Sequence, residues 1–214
     1  MNTSNKKTRI AIQNNGRLSE SSLDFFKKLG LKFRRNTRQL MVKCTNANVE
    51  FLYVRNGDIP EYVSQNVADF GIVGENVLNE RESNLTIEKK LEFGECSLII
   101  AVPMKSFIKT IDDLQDERIA TSYPRTLKKF LSEKKINASI VDIRGSVEIA
   151  PSLNLADAIC DIVQTGSTLK KNNLRVIAKV FDSMAVIVSN PGLDKQKWGN
   201  FENSLKTMTS NIYE

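Results

Sequence analysis

Histidine is absent from this sequence of 214 residues, and cysteine is scarce. Without histidine, the chain contains no Ser-His or Cys-His nucleophilic pair and no imidazole general base. The cysteines, Cys44, Cys96 and Cys160, are widely spaced and form no Cys-x-x-Cys motif, which argues against a disulfide framework and a zinc site. Any catalysis therefore has to use carboxylates, arginines, lysines, backbone amides or a bound metal.

Long apolar runs are also lacking. The longest ones, such as Leu98–Pro103, are far too short to span a bilayer. The polar segment Met1–Arg9 runs straight into a strand-like stretch, so no signal peptide is recognisable. Together with the cysteine usage, these features predict a cytoplasmic protein that does not bind membranes.

Positive charge is in modest excess, with 31 Lys and Arg against 25 Asp and Glu, which favours anionic partners. The basic residues are scattered, apart from a cluster of Arg34, Arg35 and Arg38 and a few lysine doublets. Such doublets are usually solvated helix faces. No basic stripe, aromatic platform or recognised nucleic-acid motif accompanies them, so we expect no nucleic-acid binding.

Short apolar strands alternate with amphipathic helical stretches, which predicts an α/β protein with mixed sheets and helices on both faces. We predict two lobes, with lobe I at 1–102 and 180–214 and lobe II at 103–179. Ligands of such sheets bind beyond the carboxyl ends of strands, commonly in the inter-domain cleft. The spacing also predicts a helix over Ser19–Leu29 with Ser19 as its N-cap.

The segment Thr165–Thr168 is the most informative part of the chain, because it follows a buried strand directly and opens a helix. Gly166 permits close backbone approach, and the neighbouring hydroxyls are hydrogen-bond donors. We interpret this loop as a binding site for a phosphate monoester. The alternative is a simple helix N-cap turn, since Ser and Thr are common caps.

Two carboxylates near this loop strengthen the phosphate interpretation. Asp161 ends an otherwise apolar strand, where a carboxylate is costly without a partner. It is well placed to accept hydrogen bonds from ribose hydroxyls, and Glu148 is a second candidate for the same sugar. The alternative for Glu148 is a first-turn residue stabilised by the helix dipole.

Short segments throughout the chain resemble one known family in order and in spacing. They are Gly16-Arg17-Leu18, Arg55 with Asp58-Ile59-Pro60, Asp69–Gly74, Phe93–Leu98, Ile119–Pro124, Gly145–Pro151, Leu155–Asp161, Thr165–Leu169 and Asn172-Asn-Leu174. Together they resemble the ATP phosphoribosyltransferases, which catalyse the first step of histidine biosynthesis. The composite is highly specific, although no single segment is.

The resemblance implies a two-lobed fold like that of periplasmic binding proteins. It also implies condensation of ATP with phosphoribosyl pyrophosphate, in which adenine N1 attacks ribose C1 and expels magnesium pyrophosphate. The nucleophile then belongs to the substrate, which agrees with the missing histidine. Mg²⁺ is expected only as a substrate-bound ion.

The resemblance assigns the predicted residues to three groups. Thr165, Gly166, Ser167 and Thr168 would hold the 5-phosphate, with Glu148 and Asp161 on the ribose hydroxyls. Arg17 and Arg38 match family arginines that meet the pyrophosphate, where a guanidinium fork suits a multiply charged leaving group. The matching positions near ATP are Gly16, Arg55, Asp69 and Tyr123, although Arg55 has the alternative of pairing with Asp58.

One position departs from the family. The family usually carries a lysine just before the glycine at position 16, where this chain has Asn14-Asn15. The missing cation weakens phosphate neutralisation at that turn. Because Arg17 and the phosphate loop are intact, we keep the prediction of an enzyme.

Two further classes of function remain as alternatives. One is a non-catalytic small-ligand-binding module of the same fold, and the other is a basic nucleic-acid binder, which would bind DNA in a salt-dependent way. Family members with a third domain bind histidine, whereas short forms act with a regulatory subunit resembling histidyl-tRNA synthetase. We expect a short form that forms homo-oligomers and hetero-oligomers with such a subunit.

The last predicted helix, over Lys195–Ser210, bears on those contacts. Its apolar positions recur at helical spacing and either cover the core or meet another subunit. They are Trp198, Phe201, Leu205 and Met208.

Overall fold

The computed structural model describes residues 7–36, 38–194 and 196–210 of the chain. Strands alternate with helices, as the sequence predicts. The strands are β1 (Thr8–Gln13), β2 (Met41–Lys43), β3 (Val49–Val54), β4 (Phe70–Gly74), β5 (Thr86–Lys90), β6 (Cys96–Pro103), β7 (Arg118–Thr121), β8 (Ser139–Asp142), β9 (Ala158–Val163), β10 (Leu174–Ser183) and β11 (Ala185–Ser189).

The helices are mostly short and lie between the strands. They are α1 (Arg17–Lys28), α2 (Ile59–Ser64), α3 (Glu75–Arg81), α4 (Pro124–Lys134), α5 (Ser167–Lys171) and α6 (Gln196–Ser210). Single 3₁₀ turns occupy Asn56–Asp58, Asp112–Leu114, Val147–Ile149 and Pro151–Leu153. No helix within the described ranges is long and apolar enough to cross a membrane.

The chain divides into two units, one formed by residues 1–94 and 184–214 and the other by 95–183. The sequence prediction placed the boundaries at 102/103 and 179/180. The difference arises because β6 pairs with β10 in the second sheet, from Cys96 opposite Ser183 to Pro103 opposite Leu174. The prediction assigned β6 and the end of β10 to lobe I. A strand belongs with its hydrogen-bonding partners, which the interruption of the pattern at Pro103 does not reveal.

The first unit contains a six-stranded mixed sheet in the order β2-β3-β1-β4-β11-β5. The strands β3, β1 and β4 run parallel, and the others are antiparallel to their neighbours. Successive residues of β1 are buried on opposite faces, with Ile10 and Ile12 in one core cluster and Ala11 in the other. Both faces of this sheet are therefore covered, as the apolar runs in its central strands require.

The second unit contains a five-stranded mixed sheet in the order β10-β6-β9-β7-β8. Here β9, β7 and β8 are parallel, and β6 is antiparallel to both β10 and β9. Apolar clusters again cover both faces, one around Cys160 and Leu127 and one around Ile159 and Val147. Parallel strands end at the same edge of a sheet, so the segments that follow β7, β8 and β9 share one edge.

The apolar stripe of α6 belongs to the core of the first unit. Trp198 packs edge-on against Phe70 with ring centroids 5.1 Å apart, and Phe201 stacks on the same ring at 5.7 Å. Leu205 is fully buried. The predicted start at Lys195 and the side chain of Met208 lie outside the described residues.

Two local predictions are wrong. The helix predicted from Ser19 begins at Arg17, because Gly16 takes the N-cap position with a φ of 95°, and Ser19 is buried inside the helix. Helix α3 was not predicted at all. Gly74 is both the last residue of β4 and the N-cap of α3, so no loop separates the strand from the helix.

Candidate active site

The carboxyl ends of β7, β8 and β9 carry the residues predicted to hold phosphoribose, together with Tyr123, which was predicted to lie near ATP. Tyr123 follows β7, Glu148 lies in the 3₁₀ turn after β8, and the loop Thr165–Thr168 follows β9. Asp161 lies within β9, two residues before the strand ends. We call these residues the hydroxyl edge. The structure brings all of them to the edge of the second sheet where β7, β8 and β9 end.

The loop Thr165–Thr168 has a left-handed glycine among its hydroxyl residues. Gly166 adopts a left-handed φ of 70°, and a Cβ atom added there would meet no other atom within 4 Å. The hydroxyls of Thr165 and Ser167 lie 3.1 Å apart on either side of this glycine. The loop thus presents open space bordered by hydroxyls and by the first turn of α5, which suits a small anion.

Asp161 is unusual in its electrostatics. Burial raises the pKa of its carboxyl to about 6, the backbone N–H of Ile162 lowers it by donating to Oδ1 at 2.8 Å, and nearby Glu148 raises it further. Among the residues that the structure describes, Asp161 has no ion-pair partner, so hydrogen bonds donated by a ligand would stabilise its charged form.

The carboxyl ends of the parallel strands in the first unit carry arginines instead. Gly16 and Arg17 follow β1, and Arg55 follows β3. The backbone N–H of Asn14 donates to the Val54 carbonyl at 2.8 Å, which ties the two strand ends together. We call this group, together with Arg38, the arginine edge.

Arg38 reaches the same edge from a loop. Strand β2 runs antiparallel to β3, and the N–H of Tyr53 donates to the Leu40 carbonyl at 2.8 Å. The residues just before β2 therefore lie beside the carboxyl end of β3. Arg38 is exposed there, which is compatible with contact to a soluble anion.

Two of the residues predicted to contact ATP do not lie at the arginine edge. Asp69 precedes β4, at the amino end of a strand parallel to β1, so it occupies the edge of the sheet opposite Gly16 and Arg17. Its carboxylate accepts from the backbone N–H of Arg9 at 2.8 Å and pairs with Lys197 at 2.5 Å. Asp69 is thus engaged within the first unit. Tyr123 belongs to the second unit, apart from the other predicted ATP residues in sequence and in sheet.

Asp58, the alternative partner for Arg55, is already paired with another residue. Asp58 pairs with Arg81 at 3.6 Å rather than with Arg55. Arg55 is exposed at the start of the 3₁₀ turn Asn56–Asp58. Its guanidinium therefore remains a candidate for contact with a ligand.

One residue at the arginine edge was not singled out from the sequence. Arg35, noted only as part of a basic cluster, has a half-buried side chain that contacts Asn14, Gln39 and Tyr53. A doublet of arginines outside any helix, next to an aromatic strand, is the signal that would have indicated it. Within the described ranges, no group of three or more Cys, Asp or Glu side chains is arranged to hold a metal ion.

Comparison with known proteins defines the class of fold first. The periplasmic aliphatic sulphonate binding protein SsuA from Escherichia coli matches with a TM-score of 0.62 at 14% identity, covering 97% of this chain and 72% of that chain. A likeness at this identity concerns the fold alone. The chain has a periplasmic-binding-protein-like α/β fold.

Closer matches give the family. The family model described as ATP phosphoribosyltransferase matches residues 55–214. An ATP phosphoribosyltransferase from Cytophaga hutchinsonii is 46% identical over 189 residues, which are 88% of this chain and 66% of the relative. A chain of the ATP phosphoribosyl transferase (HisG:HisZ) complex from Thermotoga maritima matches with a TM-score of 0.79 at 30% identity, covering 95% of this chain and 99% of that one. This protein belongs to the ATP phosphoribosyltransferase family.

The curated relatives are longer than this chain. It spans about two thirds of their length, from 63% to 67%.

Proposed function

We propose that this chain condenses ATP with phosphoribosyl pyrophosphate to give phosphoribosyl-ATP and pyrophosphate, the first step of histidine biosynthesis. Adenine N1 forms a bond to ribose C1, with inversion, as the bond from C1 to the pyrophosphate oxygen breaks. The nucleophile and the leaving group are both supplied by substrates. Orientation and charge stabilisation are therefore what the protein has to provide.

The hydroxyl edge carries this proposal. The open left-handed Gly166 lies between two hydroxyls, and the strand that leads into this loop carries Asp161, which has no ion-pair partner among the described residues and is influenced by the charge of Glu148. A 5-phosphate in the loop would leave the ribose hydroxyls facing these carboxylates. Hydrogen bonds from the sugar would offset the desolvation that Asp161 suffers in the free protein.

The arginine edge supports the leaving-group part of the proposal. Negative charge grows on pyrophosphate as the bond to C1 breaks, and Arg17 and Arg38 would stabilise it as bidentate donors. Gly16, Arg55 and Tyr123 remain proposed contacts to ATP. We leave Asp69 out of the ATP site, because its carboxylate is already held by Arg9 and Lys197.

Mg²⁺ belongs to the substrate in this proposal. The two edges carry hydroxyls and guanidinium groups as hydrogen-bond donors and a pair of carboxylates that can accept from sugar hydroxyls. The phosphate oxygens of phosphoribosyl pyrophosphate would carry the ion in. We also propose a cytoplasmic location, since Cys44, Cys96 and Cys160 are all free.

A coupled assay for phosphoribosyl-ATP tests this function. Product should form only when ATP, phosphoribosyl pyrophosphate and Mg²⁺ are all present. Binding of phosphoribosyl pyrophosphate without any product would instead favour the non-catalytic ligand-binding module. Neither binding nor product would contradict both functions.

We propose further that the chain forms homo-oligomers and acts with a regulatory subunit. The relative from Thermotoga maritima was solved as a HisG:HisZ complex, which supports a hetero-oligomer here. The short form stays a prediction, because the curated relatives are longer. We expect the isolated chain to be weakly active and insensitive to histidine, with the added subunit raising activity and conferring inhibition. Clear inhibition of the chain alone would contradict this.

A further inference from the structure

The guanidinium of Arg35 joins parts of the arginine edge that are separate in sequence. Nη1 donates to the backbone carbonyl of Asn14 at 2.7 Å, and Nη2 donates to the amide oxygen of the same residue. Nε donates to the Gln39 carbonyl at 3.2 Å. One side chain thus holds the turn that leads to Arg17 and the backbone that immediately follows Arg38.

A buried aromatic ring fixes this guanidinium in place. Its central carbon lies 3.7 Å from the centre of the Tyr53 ring, and Tyr53 is 1% exposed within the core of the first unit. Stacking on a rigid ring restricts the plane of the guanidinium, and the three donors then have fixed directions. The contacts therefore orient both segments instead of merely neutralising charge.

We propose that Arg35 is a positioning residue for the reaction, which holds Arg17 and Arg38 in one geometry relative to the core strand β3. This proposal rests on the proposed function, in which those two arginines meet the pyrophosphate. The turn after β1 carries Asn14 and Asn15 instead of a cation, so its own side chains supply no charge to the ligand. Its shape then depends on partners such as Arg35.

Replacing Arg35 by lysine distinguishes a positioning role of the guanidinium from an effect of its charge. Lysine keeps the charge but is a point donor, and it cannot reach both Asn14 oxygens and the Gln39 carbonyl while stacking on a ring. We therefore expect Arg35→Lys to behave almost like Arg35→Met. Arg34 provides the matched control, because it is the adjacent arginine and is exposed.

The experiment measures backbone hydrogen exchange and kinetics on the full chain. Both Arg35 variants should speed amide exchange at 14–17 and at 38–40, whereas Arg34→Lys and Arg34→Met should not. In the phosphoribosyl-ATP assay, kcat should fall about 10–100-fold for the Arg35 variants, with a smaller change in KM. The thermal midpoint should fall modestly in both variants, because charged hydrogen bonds and ring stacking are lost, while the chain stays folded at the assay temperature. Asn14→Ala should add little to Arg35→Met, since the side-chain contact that it removes is already lost when Arg35 is replaced.

Each outcome has a defined meaning. Equal exchange in the Arg34 and Arg35 variants would overturn the positioning role, as would faster exchange with an unchanged kcat. A fully active Arg35→Lys would show that charge alone matters and would also overturn it. If the unaltered chain makes no phosphoribosyl-ATP, the proposed function fails, while the exchange measurement still tests whether Arg35 holds the two segments.

Discussion

The hydroxyl edge and the arginine edge occupy equivalent ends of parallel strands, yet they are built in different ways. In the second unit, a short loop with one left-handed glycine and small hydroxyls presents a backbone site. In the first unit, long guanidinium side chains project from a turn and a loop, and a neighbouring arginine ties those segments to the core. Backbone sites are fixed by the chain itself, whereas long side chains need further contacts to be held.

The largest expected effect is on the arginine edge. Arg17→Ala should lower kcat about 100–1,000-fold, because charge on the departing pyrophosphate grows in the transition state and one strong donor is lost. KM should change much less. Steady-state kinetics of phosphoribosyl-ATP formation checks this, with Arg34→Ala as the control. A change in KM alone would make Arg17 a ground-state contact.

On the hydroxyl edge, a single change should separate binding from stability. Asp161→Asn should weaken phosphoribosyl pyrophosphate binding about tenfold, through the loss of a charged hydrogen-bond acceptor. The same change should raise the free energy of unfolding by about 1–3 kcal/mol at pH 8, because it removes a half-buried carboxylate that has no ion-pair partner in the described part of the chain. Calorimetric titration and denaturant unfolding measure the two effects.

The pH dependence of that stability gain has a defined sign. The folded-state pKa of Asp161 is raised from 3.8 to about 6, so between these values the folded protein keeps a proton that the unfolded chain has released. The free energy of unfolding therefore falls as pH rises through this window. The advantage of Asp161→Asn should be absent near pH 3.5 and complete above pH 7. An advantage of equal size at both pH values would contradict the assignment of the shift to Asp161.

Local patterns predicted the hydroxyl edge well, because its parts are close in sequence. The strand, the glycine and the hydroxyls of Thr165–Thr168 form one continuous segment, and Glu148 follows a neighbouring parallel strand. The role of Arg35 was not predictable in this way. It depends on Asn14 and Tyr53, which only the pairing of β1, β2 and β3 brings to the same place.

The prediction that Asp69 contacts ATP shows how a local motif can mislead. Asp69 lies beside a recognisable motif, but the motif's strand starts there, and ligands of such sheets bind where strands end. Its ion-pair partner Lys197 is 128 residues further along the chain. No local pattern reveals a contact of that range.

A third change tests whether Asp69 is structural. Lys197→Met should lower the free energy of unfolding by about 1–2 kcal/mol, since it leaves a half-buried carboxylate unpaired. Affinity for ATP should stay the same. The control is Lys206→Met, which removes an exposed lysine from Glu202 while that carboxylate keeps its ion pair with Lys89, so it should change stability by less than about 0.5 kcal/mol. Weaker ATP binding in Lys197→Met would return Asp69 to the ATP site.

The smallest expected effect concerns the ring beneath Arg35. The Tyr53 hydroxyl is buried and has no hydrogen-bond partner in the part of the chain that the structure describes. Tyr53→Phe keeps the stacking surface and removes this unsatisfied group, so it should raise stability by about 1 kcal/mol and leave kcat unchanged. Thermal unfolding and the phosphoribosyl-ATP assay check the two expectations. A loss of stability would show that the hydroxyl has a partner.

The central claim is that the loop at Gly166 holds the 5-phosphate, and calorimetric titration of phosphoribosyl pyrophosphate into Gly166→Ala tests it most directly. The added methyl group meets no protein atom within 4 Å, so it would occupy only the space assigned to the phosphate. Left-handed backbone at alanine costs about 1–2 kcal/mol, which unfolding measurements report separately. We predict that binding is lost while the variant stays folded and unfolds cooperatively. Binding equal to that of the unaltered chain would contradict the claim.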